Sequence, residues 1–169
     1  MKKLLTLMMA LILSMSLVAC GGEEITLQSQ TVNGLTFDVP SDFGEFSELD
    51  NQVNIAVNED STASITLSER VDAQGITADL WDEETFITTA LSGFGDAQVL
   101  EFSNTASAAG SPAVFSHYTA KNSNDAPVEG YMYFIYYNDG TFQSIAFSFN
   151  KDGNSSLKQN INAIMDSLK

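Results

Sequence analysis

The side chains that most often carry catalysis are scarce in this chain, which has one histidine, His117, and one cysteine, Cys20, among 169 residues. His117 lies within residues 114–118 (VFSHY), where strand alternation sets it beside Phe115 on one face. A histidine-based triad needs a nucleophile in a recognisable turn such as Gly-x-Ser-x-Gly, and the sequence has no such turn. We therefore expect His117 to be a partly exposed strand residue and not a general base.

Acidic and amide side chains offer the other candidate sites. The first candidate is a set of four acids near a predicted helix start: Asp79, Asp82, Glu83 and Glu84. They could work as paired carboxylates, but acids in a first helical turn are favoured by the helix dipole. In segments 122–125 and 150–154, side-chain oxygens are spaced as they are at the start of an EF-hand calcium loop. Such a loop needs a glutamate at its twelfth position, but the twelfth residues counted from positions 122 and 150 are Tyr133 and Ile161. We expect a helix start and two turns, with no metal and no cofactor.

The amino-terminal segment has the anatomy of an export signal. Lys2 and Lys3 precede an apolar run at residues 4–19, and a helix that spans a membrane needs about 20 apolar residues. The run ends in Leu-Val-Ala-Cys at residues 17–20, which resembles the lipobox of bacterial lipoproteins. In that family the cysteine takes a diacylglyceryl group and the bond before it is cut, so the resemblance implies lipidation of Cys20. Ordinary signal cleavage and an uncleaved anchor helix are the alternatives.

These features divide the chain into a signal peptide (1–19), a short tether (20–30) and a single domain (31–169). Loss of Lys2 and Lys3 leaves five of the seven basic side chains against 22 acidic ones, so the formal charge moves from −15 to −17. Such a charge excludes nucleic acid as a partner, because phosphate binding relies on Lys and Arg. It also disfavours contact with anionic lipid, which leaves anchoring to the acyl chains. Solubility and a basic partner both remain explanations of the charge.

Hydrophobic periodicity predicts the order strands, helix, strands, helix. The predicted strands are at 31–39 around an Asn33-Gly34 turn, 53–57, 63–67, 99–105, 112–121 and 130–150, the last an aromatic hairpin. A first helix is predicted at 77–92, with Leu80, Ile87, Ala90, Leu91 and Phe94 facing inward. A second, amphipathic helix is predicted at 154–168, capped by Asn154 or Ser155.

This order resembles the PsbP-like fold, as do Gly-Leu-x-Phe-x-Val-Pro at residues 34–40 and Gly-Ser-Pro-Ala at residues 110–113. That fold occurs in the extrinsic protein of photosystem II, in a nuclear Ran-binding protein and in small bacterial lipoproteins. The resemblance covers residues 31–169 and implies an α+β fold, an antiparallel β-sheet flanked by helices in a PsbP-like α/β/α sandwich. It implies no activity, because a fold alone does not carry function.

The aromatic hairpin 130–150 supplies the candidate binding surface. A two-residue turn at Asp139-Gly140 places these residues on one face: Tyr131, Tyr133, Tyr137 and Phe142. The predicted core face carries Met132, Phe134, Tyr136, Ile145, Phe147 and Phe149. Either a helix covers the tyrosine face, or the tyrosines form an exposed platform for a peptide or glycan, because they combine apolar area with a hydrogen-bonding tip.

The sequence thus predicts a membrane-anchored, extracytoplasmic bacterial lipoprotein that serves the cell envelope as a non-catalytic binding or accessory module. It would lie on the outer face of the cell membrane, or on the outer membrane of a Gram-negative species. Its partners would be the bilayer, through acylated Cys20, and an envelope protein, peptide or glycan. Two other functions stay open: an envelope hydrolase with an unrecognised carboxylate site, and a purely structural surface lipoprotein.

Overall fold

The structure, a computed structural model, describes residues 25–50 and 52–169. The predicted signal peptide 1–19, the lipidation residue Cys20 and residues 21–24 of the predicted tether lie outside this part of the chain. The strands are β1 (Leu27–Val32), β2 (Leu35–Pro40), β3 (Ser47–Asp50), β4 (Val53–Val57), β5 (Ala63–Ser68), β6 (Val71–Asp72), β7 (Gly95–Ala108), β8 (Ser111–Lys121), β9 (Pro127–Tyr136) and β10 (Thr141–Asn150). The helices are a 3-10 turn (Ala78–Leu80), α1 (Glu83–Ala90) and α2 (Ser156–Asp166).

One large antiparallel sheet dominates the fold. Its strand order is β3-β4-β5-β10-β9-β8-β7, with the short β6 paired to the start of β10. Strands β1 and β2 form a separate hairpin. Helix α2 and the 3-10 turn with α1 lie on opposite faces of the sheet, which we call the α2 face and the α1 face. The predicted α+β fold, an antiparallel sheet flanked by helices, is confirmed.

The β1–β2 hairpin turns at Asn33-Gly34, as predicted, with positive φ angles of 47° and 82°. Two successive positive φ angles match the right-handed twist of a hairpin, and Asn-Gly adopts them at low cost. The domain starts earlier than predicted, because Leu27 already pairs with Pro40. Residues 27–30, assigned to the tether from sequence, therefore belong to β1.

The α2 face carries the larger core. Leu35, Phe37 and Val39 point from β2 into it and are fully buried, as the alternation predicts. Helix α2 contributes Leu157, Ile161 and Ile164, all buried, and Leu168, which follows the helix, is buried with them. The carboxyl-terminal end is fixed to β2 by reciprocal backbone bonds between Thr36 and Lys169, of 3.0 and 2.9 Å. Ser155 caps α2 by accepting a bond from the Lys158 amide.

The α1 face carries a second core, and here the predicted helix 77–92 is wrong in its extent. Trp81 and Asp82 have extended backbones, so the 3-10 turn and α1 are two separate elements. Residues of the turn therefore do not continue the buried face of α1. Leu80, predicted to face inward, is consequently 65% exposed. Phe86 is fully buried in its place, although the predicted inward set omitted it. Asp82 begins α1 as its N-cap, accepting a bond of 2.7 Å from the Thr85 amide.

Strands β4 and β5 pair as predicted, but β4 presents its apolar residues to the other face. Ala56 pairs with the buried Ile65, so the odd-numbered residues Val53, Ile55 and Val57 lie on the α1 face. Val57 is 37% exposed there. The apolar residues of β4 therefore face away from the larger core, although they alternate along the strand.

The β9–β10 hairpin has a three-residue loop, which corrects the predicted two-residue turn. The Tyr137 amide donates to the Thr141 carbonyl at 2.9 Å, and Gly140 has a φ of 80°. Phe142 therefore pairs with Tyr136 and not with Tyr137. Because side chains alternate with a period of two, this shift by one residue moves all of β10 to the opposite face. Ile145, Phe147 and Phe149 share the α2 face with the tyrosines, whereas Met132, Phe134 and Tyr136 lie on the α1 face.

Candidate functional site

The two helical layers cover different halves of the sheet. On the α2 face, α2 and the β1–β2 hairpin pack over the half that contains β5 and β10. On the α1 face, the 3-10 turn and α1 pack over the half that contains β7, β8 and β9. Two diagonally opposed areas of sheet are left partly open: one on the α2 face at β8 and β9, the other on the α1 face at β4, β5 and β10.

The four residues of the predicted binding surface do not share one face. Tyr131, Tyr133 and Tyr137 are on the α2 face, whereas Phe142 is on the α1 face and stacks on Tyr136 with ring centroids 5.8 Å apart. Grouping Phe142 with the tyrosines was therefore wrong. The longer hairpin loop is the reason, because it shifts the pairing by one residue.

Tyr137 is occupied by contacts within the fold. Its hydroxyl donates to Gln143 Oε1 at 2.9 Å, and the Arg70 guanidinium lies 3.6 Å from its ring centroid. Burial raises the pKa of Tyr137, and the charge of Arg70 opposes that rise. These contacts bind the Tyr137 side chain to Gln143 and Arg70 at one end of the sheet, so it does not join Tyr131 and Tyr133 in a common surface.

Tyr133 reaches the edge of α2. Its hydroxyl donates to the sulfur of Met165 at 3.9 Å, and its ring is half-buried. Burial is the largest cause of the raised pKa of Tyr133, followed by the charges of Asp166 and Glu101. The sequence analysis left open whether a helix covers the tyrosines or leaves them exposed. For Tyr133, α2 covers one side of the ring and leaves the other side open.

Four half-buried rings form an aromatic cluster beyond the edge of α2: Phe115, His117, Tyr131 and Tyr133. The His117 and Tyr131 rings are stacked, with centroids 4.2 Å apart and an interplanar angle of 6°. The Phe115 and Tyr133 centroids lie 5.0 Å apart. The sequence analysis predicted that His117 lies beside Phe115 but did not predict its stacking on Tyr131. This stacking follows from the β8–β9 register, in which His117 is opposite Tyr131.

A carboxylate orients the imidazole of His117. Its Nε2 lies 2.8 Å from Glu129 Oε1, and the two side chains are 19% and 18% exposed. Lys158 Nζ lies 3.8 Å from the other oxygen of Glu129. In the described part of the chain, no serine, threonine or cysteine side chain hydrogen-bonds to His117. The arrangement holds the ring against Tyr131 and provides the surface with hydrogen-bonding and charged groups at its edge.

The open area on the α1 face is a groove of about 390 Å³. Its floor consists of side chains from β5 and β10, among them Ser64, Thr66, Ala146 and Ser148. Its wall toward α1 includes Phe94, Tyr118 and Met132, and Asn122 and Asn150 also line it. The groove was not predictable from the sequence, because it depends on where α1 ends relative to the sheet.

The remaining sequence candidates have local structural roles. Asp82 caps α1, and the Thr85 amide that it binds lowers the pKa of its carboxyl. Asn122 Oδ1 accepts bonds from the amides of Asn124 and Ala126, which closes the 122–125 loop. The described residues contain no group of three or more His, Cys, Asp or Glu side chains placed to hold a metal ion. No helix within residues 25–50 and 52–169 has the length and hydrophobicity needed to cross a membrane.

Comparison with known proteins identifies the fold. No protein-family model and no curated protein sequence matches the chain. The solution structure of cyanobacterial PsbP (CyanoP) from Synechocystis is similar with a TM-score of 0.60 at 14% identity, covering 90% of this chain and 98% of that protein. The chain has a PsbP-like fold.

Two further structures belong to the same comparison. The Ran-binding protein Mog1p of Saccharomyces cerevisiae is similar with a TM-score of 0.53 at 14% identity, covering 83% of this chain and 84% of Mog1p. LpqN of Mycobacterium tuberculosis, described as involved in cell envelope biogenesis, has a TM-score of 0.44 at 11% identity over 87% of this chain and 91% of its own. At these identities the similarity to CyanoP and Mog1p concerns the PsbP-like fold alone.

Proposed function

We propose that this PsbP-like protein is an exported bacterial lipoprotein, anchored through acylated Cys20 to the outer face of a membrane, and that it serves the cell envelope as a non-catalytic binding module. One observation carries the anchoring: the Leu-Val-Ala-Cys sequence at residues 17–20 follows a basic start and an apolar run. Several acyl chains on one cysteine hold a protein firmly, since each buried methylene contributes about 0.8 kcal/mol.

The position of β1 fits such an anchor. Leu27, the first residue of β1, follows Cys20 by only seven residues. An extended chain spans at most about 3.6 Å per residue, so the tether would keep β1 within about 25 Å of the bilayer. A formal charge of −17 after cleavage would discourage the domain from lying on anionic headgroups. A domain held near the membrane but facing away from it suits capture of a partner in the envelope.

The aromatic cluster is the surface that we propose for a protein partner. Its four rings are half-buried and lie beyond the edge of α2, so a partner would cover apolar area that the fold leaves open. The exposed Glu101, which lies opposite His117 in the β7–β8 register, favours a partner with basic side chains. The stacked contact with Tyr131 makes the His117 ring part of this apolar surface, which supports a binding role for it.

The anchoring half of the proposal is tested by changing Cys20. Because the lipid is attached through the thiol, Cys20→Ser should abolish partitioning into the detergent phase in a Triton X-114 separation. Ser14→Ala, a change in the same segment outside the Leu-Val-Ala-Cys sequence, should leave partitioning intact. A Cys20→Ser protein that still enters the detergent phase would contradict the lipid anchor.

The binding half is tested by a photo-crosslinking amino acid placed at Tyr131 in living cells. We expect one discrete adduct of higher mass, containing an envelope protein. The same amino acid at Asn138, on the exposed tip of the β9–β10 loop, should give none. Equal labelling from both positions, or none from Tyr131 in a folded and anchored protein, would refute the aromatic cluster as the partner surface without affecting the anchor.

A further inference from the structure

The groove on the α1 face has no charged side chain among the fifteen residues that line it: Val57, Ser61, Thr62, Ala63, Ser64, Thr66, Phe94, Tyr118, Asn122, Val128, Met132, Ala146, Ser148, Phe149 and Asn150. The chain as a whole has seven basic and 22 acidic residues, so this area differs from the rest of the surface. An uncharged groove gives an ionic ligand no counter-charge to replace its lost hydration. The lining thus favours an uncharged ligand.

The floor presents hydroxyl groups in a regular array. Ser64 and Thr66 alternate onto the α1 face from β5 and lie next to Ser148 and Ala146 of β10. The Ser148 hydroxyl lies 3.2 Å from that of Tyr118, whereas those of Ser64 and Thr66 make no hydrogen bond to another described residue. Each hydroxyl both donates and accepts, and strand rise sets alternate residues about 7 Å apart.

The walls and ends complete an amphipathic surface. Phe94 is half-buried and presents apolar area, while Met132 lines the same wall. The amide side chains of Asn122 and Asn150 add further donors and acceptors. Apolar walls beside neutral hydroxyl and amide groups match a molecule with apolar C–H faces and many hydroxyls.

We propose that this groove binds a neutral glycan segment. A sugar ring carries the C–H faces and the hydroxyl groups that the walls and the floor match. A peptide is a poorer fit, because the backbone groups of β5 and β10 are already paired in the sheet ladder and are not offered to another strand. A volume of about 390 Å³, open along one side, suits a few residues of an extended chain.

This site is independent of the aromatic cluster and of the anchor. Thr66 and Ser148 are on the α1 face, while Tyr131 and His117 are on the α2 face. The protein would thus have two ligand surfaces on opposite sides of one sheet. Failure of glycan binding would leave the proposed lipoprotein function in place, and failure of the anchor would leave the groove in place.

The test is calorimetric titration of the full-length protein, kept in a detergent without sugar headgroups, at 150 mM salt. The neutral probes are tetra-N-acetylchitotetraose and maltotetraose, and the charged probes are the deacetylated cationic chitotetraose and the anionic tetragalacturonate. We expect saturable binding of at least one neutral tetrasaccharide, with both charged ones at least tenfold weaker. An end-blocked Gly-Ser octapeptide serves as the peptide probe and should not bind.

Variants locate the site. Thr66→Glu places a charge on the floor and should weaken binding at least tenfold, whereas Thr105→Glu, on the exposed side of β7, should leave it unchanged. Thr66→Val keeps a β-branched side chain without the hydroxyl, and we expect a several-fold loss in a protein that still folds. The proposal is overturned if neither neutral tetrasaccharide binds, if the charged probes or the peptide bind as well, or if Thr66→Glu and Thr105→Glu behave alike.

Discussion

Tyr118 lies across Gly130, its cross-strand neighbour on β9, and the absence of a side chain at Gly130 makes the contact possible. A Cβ atom at residue 130 would be 2.5 Å from both Cζ and the hydroxyl oxygen of Tyr118. The ring can therefore cross β9 and bring its hydroxyl to Ser148 on β10. Tyr118 is 1% exposed, and burial raises its pKa. One glycine thus allows a single side chain to join three strands and to form the base of the groove wall.

The first prediction follows from this contact. Gly130→Ala should lower the free energy of unfolding by about 1–3 kcal/mol, the usual cost of forcing extra atoms into a packed core. Urea denaturation monitored by circular dichroism measures it. Gly93→Ala is the control, because nothing lies within 4 Å of a Cβ there. In a Tyr118→Ala background the cost of Gly130→Ala should shrink, and an equal cost in both backgrounds would disprove the steric explanation.

The second prediction compares two buried serines. Ser156 Oγ donates to both oxygens of Asp42, at 2.7 and 2.8 Å, whereas Ser116 Oγ has no hydrogen-bond partner among the described residues. Ser156→Ala should lower the free energy of unfolding by about 1–3 kcal/mol, because the carboxylate loses a donor. Ser116→Ala should raise it by about 1 kcal/mol, because an unsatisfied hydroxyl leaves the core. Urea denaturation of both variants checks the signs, and a loss of stability in Ser116→Ala would mean that its hydroxyl is satisfied.

The third prediction concerns Tyr133, whose ring is only half-buried against Met165 and Phe115. Tyr133→Ala should lower the free energy of unfolding by about 1.5–3 kcal/mol, the value of burying one large apolar side chain. A fully buried aromatic residue would cost about 3–5 kcal/mol. Tyr133→Phe keeps the ring and loses a weak bond to sulfur, so thermal and urea unfolding should change little. A loss with Tyr133→Phe as large as with Tyr133→Ala would show that the hydroxyl, not the ring, stabilises this edge.

Sequence patterns predicted most elements of the fold because hydrophobic alternation and turn chemistry are local. Asn33-Gly34 and the amphipathic α2 were correct for this reason. The β9–β10 loop was not, because Asp139-Gly140 and Asn138-Asp139-Gly140 are both good turns. Asp139 Oδ1 accepts from the Thr141 amide and hydroxyl and stabilises the longer one. A difference of one residue in loop length thus determines which face of the sheet every side chain of β10 occupies.

The candidate sites were less predictable because they depend on pairings distant in sequence. The stacking of His117 on Tyr131 needs the β8–β9 register, and the groove needs α1 to stop short of β5. The extended backbone at Trp81 and Asp82 was not predictable either, because the hydrophobic pattern of residues 77–92 is that of one continuous helix. This break separates Leu80 from the buried face of α1. Local propensity does not determine such offsets, because tertiary packing overrides it.

The last prediction concerns pH. Four exposed aspartates have lowered carboxyl pKa values in the fold, chiefly through a hydrogen bond or ion pair to one partner each: Asp60 to Thr62, Asp82 to Thr85, Asp96 to Lys121 and Asp139 to Thr141. A lowered folded pKa contributes stability above the unfolded value of 3.8, and the contribution is lost as pH falls through the folded pKa. Stability should therefore decline below about pH 4.

Between pH 7 and 5 the opposite trend should dominate at low salt. With 22 acidic against seven basic side chains, self-repulsion is relieved as protons bind, so the melting temperature should rise before the acid decline begins. In 1 M NaCl, where the Debye length is about 3 Å, the rise should vanish while the decline persists, because close hydrogen bonds are screened little. Asp82→Asn keeps an N-cap acceptor without a titrating group and should lose less stability below pH 4. Calorimetry across this range decides, and a melting temperature that is flat or falling from pH 7 to 5 at low salt would contradict dominant self-repulsion.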